Sequence, residues 1–366
     1  MAAGFQSLLL RCSCLETKAA SSSPVVSHLF VKPSGARKTL RGHELRMRTD
    51  KKLLLLQLLE EGKSGNVTSW VRQSVKTMKK EKKEKKKLGL VMADVRFLSS
   101  SSQGVKSVVE GLKWAFQAVP SWESAAIATC TVFVCGAPVL LAGLSVPGFF
   151  SSFLLGLLTW RALGYQGFCI VSLYFVLGTL ATKVKIKQKE AAGIAEKKSG
   201  RRGPGSVLGS GAAGVMCASA AIARVGGLEW EALWHLGFLA SFCTKLSDTI
   251  SSEIGKAYGK TTYLVTTMSI VPRGTEGAVS LEGTLAGLLA SVILSAIAYA
   301  LKMTDQTGAI ICVVAAQIAN LCESFIGAAL QGREDYEWIT NDIVNIANIM
   351  IGATLAILIR RLTVGM

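Results

Sequence analysis

The chain has 366 residues, half of them apolar and only 18% charged, against about 25% charge in an ordinary soluble domain. The net charge of +17 does not mark a nucleic-acid binder: residues 1–123 hold 23 Lys and Arg against 10 Asp and Glu, the rest 18 against 14, and no basic, aromatic-interleaved fold accompanies the excess. The nine cysteines show neither metal-ligand spacing nor a disulfide framework, and no Ser/His/Asp arrangement or HExxH accompanies the three histidines.

Residues 1–48 carry eight Lys and Arg against two acids, are rich in Ser, and lack an apolar core before a small-residue cleavage site. That composition predicts an organelle transit peptide and not a secretory signal. Residues 49–120 include the lysine block KTMKKEKKEKKK at 76–87, which cannot bury anything and predicts a basic, disordered segment. A polytopic membrane domain is expected over 121–366. Its apolar runs fall at 125–146, 148–164, 167–183, 207–224, 232–247, 282–301, 307–330 and 343–360. A spanning helix needs about 17–25 apolar residues, so the pattern predicts an all-α polytopic integral membrane protein with six to eight spans, seven favoured. The runs at 148–164 and 167–183 are short, and Gly164-Tyr-Gln-Gly167 separates them. They read either as two spans or as a re-entrant hairpin. Small residues in GSGAAGVMCASAA (209–221) and GTLAGLLAS (283–291) predict close helix approach. The loop over 183–205 holds eight Lys and Arg against two Glu and is expected on the non-translocated side of the membrane, the stroma in a plastid.

Four polar blocks interrupt this apolar text. SDTISSEIGKAYGK (247–260) places Asp248 and Glu253 five residues apart, about 140° round a helix. If the helix unwinds near Ser251-Ser252, both carboxylates enter one cleft and suit a hard cation such as Mg²⁺ or Mn²⁺. Lys256 and Lys260 share a face and match phosphate oxygens; the competing reading is a set of surface ion pairs at a span's end. In IVPRGTEGAVSLEGT (270–284), Arg273 offers a planar fork to phosphate, and Gly274 and Gly277 suit an anion-binding turn. Glu276 and Glu282 add metal or proton-handling candidates, and a plain interhelical loop is the alternative. Arg201 and Arg202 precede a glycine-rich helix entry, which suits an anion. In NLCESFIGAALQ (320–331), Glu323 lies within a span beside Asn320, with Gln331 at the end, and Asn341, Asp342 and Asn345 open the last run. A carboxylate at that depth marks either a functional site or a satisfied interhelical hydrogen bond.

The blocks DTISSEIG (248–255), VPRGTEGAVSLEGT (271–284), GRRGPGSVLGSG (200–211) and ESFIGAALQ (323–331) resemble those of the transmembrane protein 19-like family over about residues 120–360. WESA (122–125), LLGLLTWRALG (154–164) and KEAAGIAEKKSGRRGPG (189–205) bring the resemblance to its plant branch, the plastid phytyl-phosphate kinases. Many members of the broader family read GTNGGVS where this chain has GTEGAVS, and Asp where it has Glu323; the plant branch is similar to this chain at both places. The resemblance implies an enzyme that moves a phosphoryl group from a nucleoside triphosphate to phytyl phosphate, giving phytyl diphosphate for tocopherol and phylloquinone synthesis. It implies a multi-pass chloroplast membrane location, envelope over thylakoid, with membrane lipid around it and no nucleic acid as partner. A looser similarity to membrane cytidylyltransferases and polyprenol kinases suggests CTP as donor. On this reading Asp248 and Glu253 hold the metal, and Glu323 joins them as a catalytic candidate. Lys256, Lys260 and Arg273 bind nucleotide phosphates, Arg201 and Arg202 hold the acceptor phosphate, and the prenyl tail lies between spans. The alternative is a transporter of a phosphorylated or prenylated solute, and a third reading is a non-catalytic assembly protein.

Overall fold

A computed structural model describes residues 102–195, 202–331 and 334–364. The transit-peptide stretch, the lysine block and Arg201 lie outside the described residues. Among the described residues, ten α-helices carry the fold: α1 Ser102–Gln117, α2 Trp122–Cys135, α3 Ala137–Gly143, α4 Val146–Lys183, α5 Ile186–Ala191, α6 Pro204–Ile222, α7 Leu228–Tyr258, α8 Leu281–Ala300, α9 Gln306–Leu330 and α10 Asn341–Val364. Strands β1 Thr262–Leu264 and β2 Ala278–Ser280 pair antiparallel between α7 and α8, with Tyr263 opposite Val279. Local chemistry sets several helix starts. Ser121, Ser145, Ser280 and Asp305 each accept the amide three residues on, satisfying a donor that a helix N-terminus leaves unpaired.

Helix α4 is a hairpin of two arms that meet at Gly164. Gly164 has φ 61° and ψ −153°, a conformation essentially reserved for glycine. A Cβ on Gly148 would lie 2.5 Å from the Arg202 carbonyl, and one on Gly178 would lie 2.7 Å from the Arg202 guanidinium. On a straight helix those two glycines would be about 45 Å apart. Trp160 and Phe168, eight residues apart, stack edge-on at 5.3 Å across the bend. Gly164→Ala is expected to destabilise the protein by about 1–3 kcal/mol through that backbone conformation. Its thermal melt in detergent, set beside that of wild type, measures the effect.

The chain therefore shuttles between two ends. Arg202 joins Gly143 and Ser145 through backbone bonds at the basic end. Lys189 of α5 meets Glu253 of α7 there, Gly283 of α8 packs on Gly255 of α7, and Gly277 packs on Ala328 of α9. Asp342 of α10 lies against Gly205 of α6 at the same end. At the opposite end Gln166 donates to the Leu301 carbonyl at 3.0 Å, and Arg360 pairs with Asp305 at 2.7 Å. The Gly308 amide and the Arg360 guanidinium hold the Asp305 carboxyl below the usual carboxylate range. Among the described residues, eight legs run between these ends: bent α2–α3, both arms of α4, α6, α7, α8, α9 and α10. Three legs precede the 183–205 loop, so α1 lies at the end opposite to it.

Helices α4, α6, α8, α9 and α10 are long and apolar enough to cross a membrane, and α2–α3, bent by 76°, qualifies as a broken sixth. Helix α7 is absent from that set because charges interrupt it. It is nonetheless the centre of the bundle: every residue from Leu236 to Ser247 is buried, against α4, α6, α8, α9 and α10. A helix sheathed by protein need not suit lipid. Glycines let its neighbours close in. A Cβ on Gly287 of α8 would lie 2.1 Å from the Ser251 hydroxyl, and one on Gly352 of α10 would lie 2.1 Å from that of Thr244.

One expectation about order changes. The stretch 49–120 was expected to be disordered, yet within it α1 is an amphipathic helix. Its Ala115 is buried in a small cluster with Ala125, Ala128 and Trp160, and Phe116 meets Trp160 edge-on at 5.3 Å. Val108, Leu112, Ala115 and Phe116 recur at helical spacing and give this end of the segment an apolar stripe.

Candidate active site

The site is built around α7. Lys245 and Asp248 stand one turn apart, and the Lys245 ammonium donates to the Asp248 carboxylate and to Oδ1 of Asn345 on α10. Glu323 of α9 faces the same point and interacts electrostatically with Asp248. Its Oε2 accepts from Asn348 Nδ2 at 2.7 Å. Asn348 also donates to Asn320 Oδ1 at 3.1 Å, and Asn320 donates to Ser247 at 2.8 Å. Gln317 bridges Ser247 and Ser291. One polar network thus links α7, α8, α9 and α10 inside an apolar bundle. Buried polar groups are costly unless bonded, so such a network fixes the rotamers of the carboxylates at its edge.

Cations flank the carboxylates. Lys256 acts on Asp248 through space. The Arg202 guanidinium donates to the Tyr174 hydroxyl and lies 5.0 Å over its ring, and Tyr174 donates to Ser210 at 2.8 Å. Glu276, on the hairpin connection, adds negative potential at Glu323. Two interacting carboxyl groups share either a proton or a cation. Asp248, Glu323 and the Asn345 amide oxygen are hard oxygen donors. They fit Mg²⁺ or Mn²⁺, which binds through one or two carboxylates and completes its shell with water and substrate phosphate. Among the described residues, no three His, Cys, Asp or Glu side chains gather as a closed metal cage.

The expected partnership of Asp248 with Glu253 is corrected. Helix α7 runs unbroken from Leu228 to Tyr258, so the unwinding that would bring the two together does not occur. Glu253 turns to another side and forms a buried ion pair with Lys189, whose ammonium also donates to the Thr182 carbonyl at 2.9 Å. The side chain of Glu253 is 2% exposed and that of Asp248 is 15%, so solvent reaches only the second. The remaining candidates divide by position. Asn345 joins the carboxylates through Lys245, and Asp342 sits at the N-terminus of α6 beside Gly205. Lys260 and Glu282 meet at the bundle's edge, where the Glu282 carboxylate accepts the Lys260 amide at 3.3 Å. Arg273 is exposed on the hairpin connection, and Asn341 is exposed at the start of α10. Gln331 caps the C-terminus of α9.

The turn expected to cradle an anion instead packs against its neighbours. Gly274 (φ 87°) presses on Ile194 and Gly277 (φ 72°) on Ala328, while the amides of Thr275 and Ala278 bond within the turn. Reading for motifs overlooked Lys245, Lys189, Tyr174 and Asn348. Lys245 had a usable signal, being a lysine inside an otherwise apolar run, where a charge is expensive. A cavity of about 710 Å³ lies at the opposite end of the bundle around His235, Lys302 and Met303, and none of these site residues lines it.

Comparison with known proteins agrees with the membrane architecture. Residues 129–353 match the family described as integral membrane protein DUF92. The chain is 56% identical over 263 residues to the Arabidopsis thaliana protein VTE6, chloroplastic, covering 72% of this chain and 78% of that one. It is 45% identical over 236 residues to an uncharacterised membrane protein of Synechocystis, covering 64% and 90%. An uncharacterised membrane protein of Methanocaldococcus jannaschii is 29% identical over 213 residues, covering 58% and 84%. No solved structure matches. The family match takes in every leg from the second half of α2 to the middle of α10, with the whole of the Asp248–Glu323 network: the chain belongs to the DUF92 family of integral membrane proteins.

Proposed function

We propose that the protein is a phytyl-phosphate kinase of a plastid membrane, the envelope over the thylakoid. The observation that carries this is the Asp248–Glu323 carboxylate pair, flanked by Lys245, Lys256 and Arg202, at the basic end of a membrane bundle. A cluster of this kind can bring a water-soluble phosphate donor to a lipid-borne acceptor. The transit-peptide composition, the resemblance of the polar blocks to the plant branch and the chloroplastic relative support the setting. In the reaction, the bond from the terminal phosphorus of the nucleoside triphosphate to its bridging oxygen breaks, and one to a phosphate oxygen of phytyl phosphate forms. A nucleoside diphosphate leaves and phytyl diphosphate results.

Such transfer depends on positioning and charge neutralisation more than on covalent help from the protein. A divalent ion at Asp248 and Glu323 supplies neutralisation of phosphate oxygens. Lys256 faces the donor phosphates, Arg202 the acceptor phosphate, and CTP is the proposed donor. The prenyl chain lies between apolar legs near Arg202, leaving its phosphate at the basic end. A transporter commonly breaks a helix at mid-membrane to make its site. Here α7 is continuous, and the Gly164 break lies at the far end from the carboxylates. The test uses membranes containing the full chain, phytyl phosphate, Mg²⁺ and each nucleoside triphosphate labelled at its terminal phosphate. Label is expected in phytyl diphosphate, most of it from CTP, and removal of Mg²⁺ by a chelator abolishes it. Folded protein that transfers no label from any nucleotide would turn the reading to transport.

A further inference from the structure

Lys245 is the cation paired with Asp248, and its ammonium already uses oxygens that a metal would want. It donates to Asp248 and to Asn345 Oδ1, and it lies in the field of Glu323. Its side chain is only 8% exposed, and no surface role accounts for it. A divalent cation held by Asp248, Glu323 and Asn345 would stand where that ammonium now stands. Two cations cannot both keep contact with one small set of oxygens, because their mutual repulsion at a few ångströms is large inside a protein. Tyr174, which carries the Arg202 guanidinium, donates to Ser210 of α6, and the adjacent Gly209 packs on Asn345, the residue that Lys245 bonds. The side chain therefore has a destination as well as a reason to leave.

We propose that Lys245 is the resident counter-ion of the Asp248–Glu323 pair, that a divalent cation displaces its ammonium, and that the released ammonium turns toward Tyr174 and Arg202 to bind the acceptor phosphate. The last step rests on the kinase reading, and the displacement does not. Metal binding in this scheme creates the phosphate site, which couples the two ligands: each tightens the other. In the metal-free protein the ammonium offsets one negative charge of the half-buried Asp248–Glu323 pair.

The experiment compares purified full-length wild type with Lys245→Gln and Lys245→Arg. Mn²⁺ affinity is read by electron paramagnetic resonance of the free ion, and KM is read for phytyl phosphate. Lys245→Gln is expected to bind Mn²⁺ at least about tenfold more tightly, since a competing charge is gone, while KM rises by about tenfold. Lys245→Arg, which keeps the charge, is expected to stay closer to wild type in Mn²⁺ affinity. A merely structural lysine would not strengthen one ligand while weakening the other. Unchanged or weaker Mn²⁺ binding in folded Lys245→Gln overturns the proposal. Should that variant fail to fold, wild type answers alone: saturating Mg²⁺ is expected to increase labelling of Lys245 by a small amine reagent, and no increase overturns the displacement. A wild type that binds Mn²⁺ but transfers no phosphate would end the kinase reading and leave the displacement result intact.

Discussion

Asp248→Asn is expected to lower phosphoryl transfer by about 10²–10³-fold, the scale of losing one preorganised electrostatic group from a water-poor site. The amide keeps the size of the carboxylate and removes its charge. The cation then loses an anionic ligand, and Lys245 loses its ion-pair partner on the same helix. Glu323→Gln is expected to fall by a similar factor, because Glu323 shares the site from α9. The double variant should be far less impaired than the product of the two losses, as groups that act as a unit are not additive. Glu276→Gln tests the contrast: its side chain is exposed on the hairpin connection, where salt and water screen it, and a loss below about tenfold is expected. The measurement is label transfer by full-length protein at saturating Mg²⁺, with melting curves confirming equal folding. Asp248→Asn retaining half of wild-type activity would remove this cluster from the chemistry.

The second large effect belongs to Lys189 and Glu253, and it falls on stability. Both side chains are nearly sealed, at 1% and 2% exposure, and they tie the short helix α5 to the end of α7. Lys189→Met takes the countercharge from a buried carboxylate, which typically costs about 3–5 kcal/mol. The expected result is a melting temperature several degrees below wild type in the same detergent. Replacing both, Lys189→Met with Glu253→Met, is expected to recover most of that loss, since buried pairs can often be exchanged for apolar side chains of similar volume at little cost. The double variant also decides the role of Glu253. If Glu253 held the metal, as its spacing from Asp248 suggested, the recovered fold would carry no activity. With the metal between Asp248 and Glu323, the double variant keeps at least about half of wild-type transfer, since Glu253 points away from that pair toward Lys189.

The architecture was legible in the chain because lipid imposes a simple rule. Backbone groups inside a bilayer must bond within their own segment, so spans are long, apolar and helical, and they can be counted. The bend at Gly164 and the small-residue packing of α6 and α8 follow from local chemistry of this kind. Asp248, Glu323, Asn345 and Arg202 also stood out, because a charge or an amide in an apolar run has to be explained.

Only tertiary structure could decide which of these residues meet. Helical periodicity fixes the angle between Asp248 and Glu253, about 140°, and nothing in the sequence states whether α7 unwinds to cancel it. Packing settles the question: α7 is enclosed from Leu236 to Ser247, and it stays helical through Ser251 and Ser252. The carboxylate that reaches Asp248 comes from α9, 75 residues along the chain, and the lysine that reaches Glu253 comes from α5, 64 residues back. Composition selects the helices and marks the polar residues, since those preferences act over a few neighbouring positions. Partnership between charges depends on where distant helices cross, and that is set by how the glycine-lined faces of α8 and α10 close on α7.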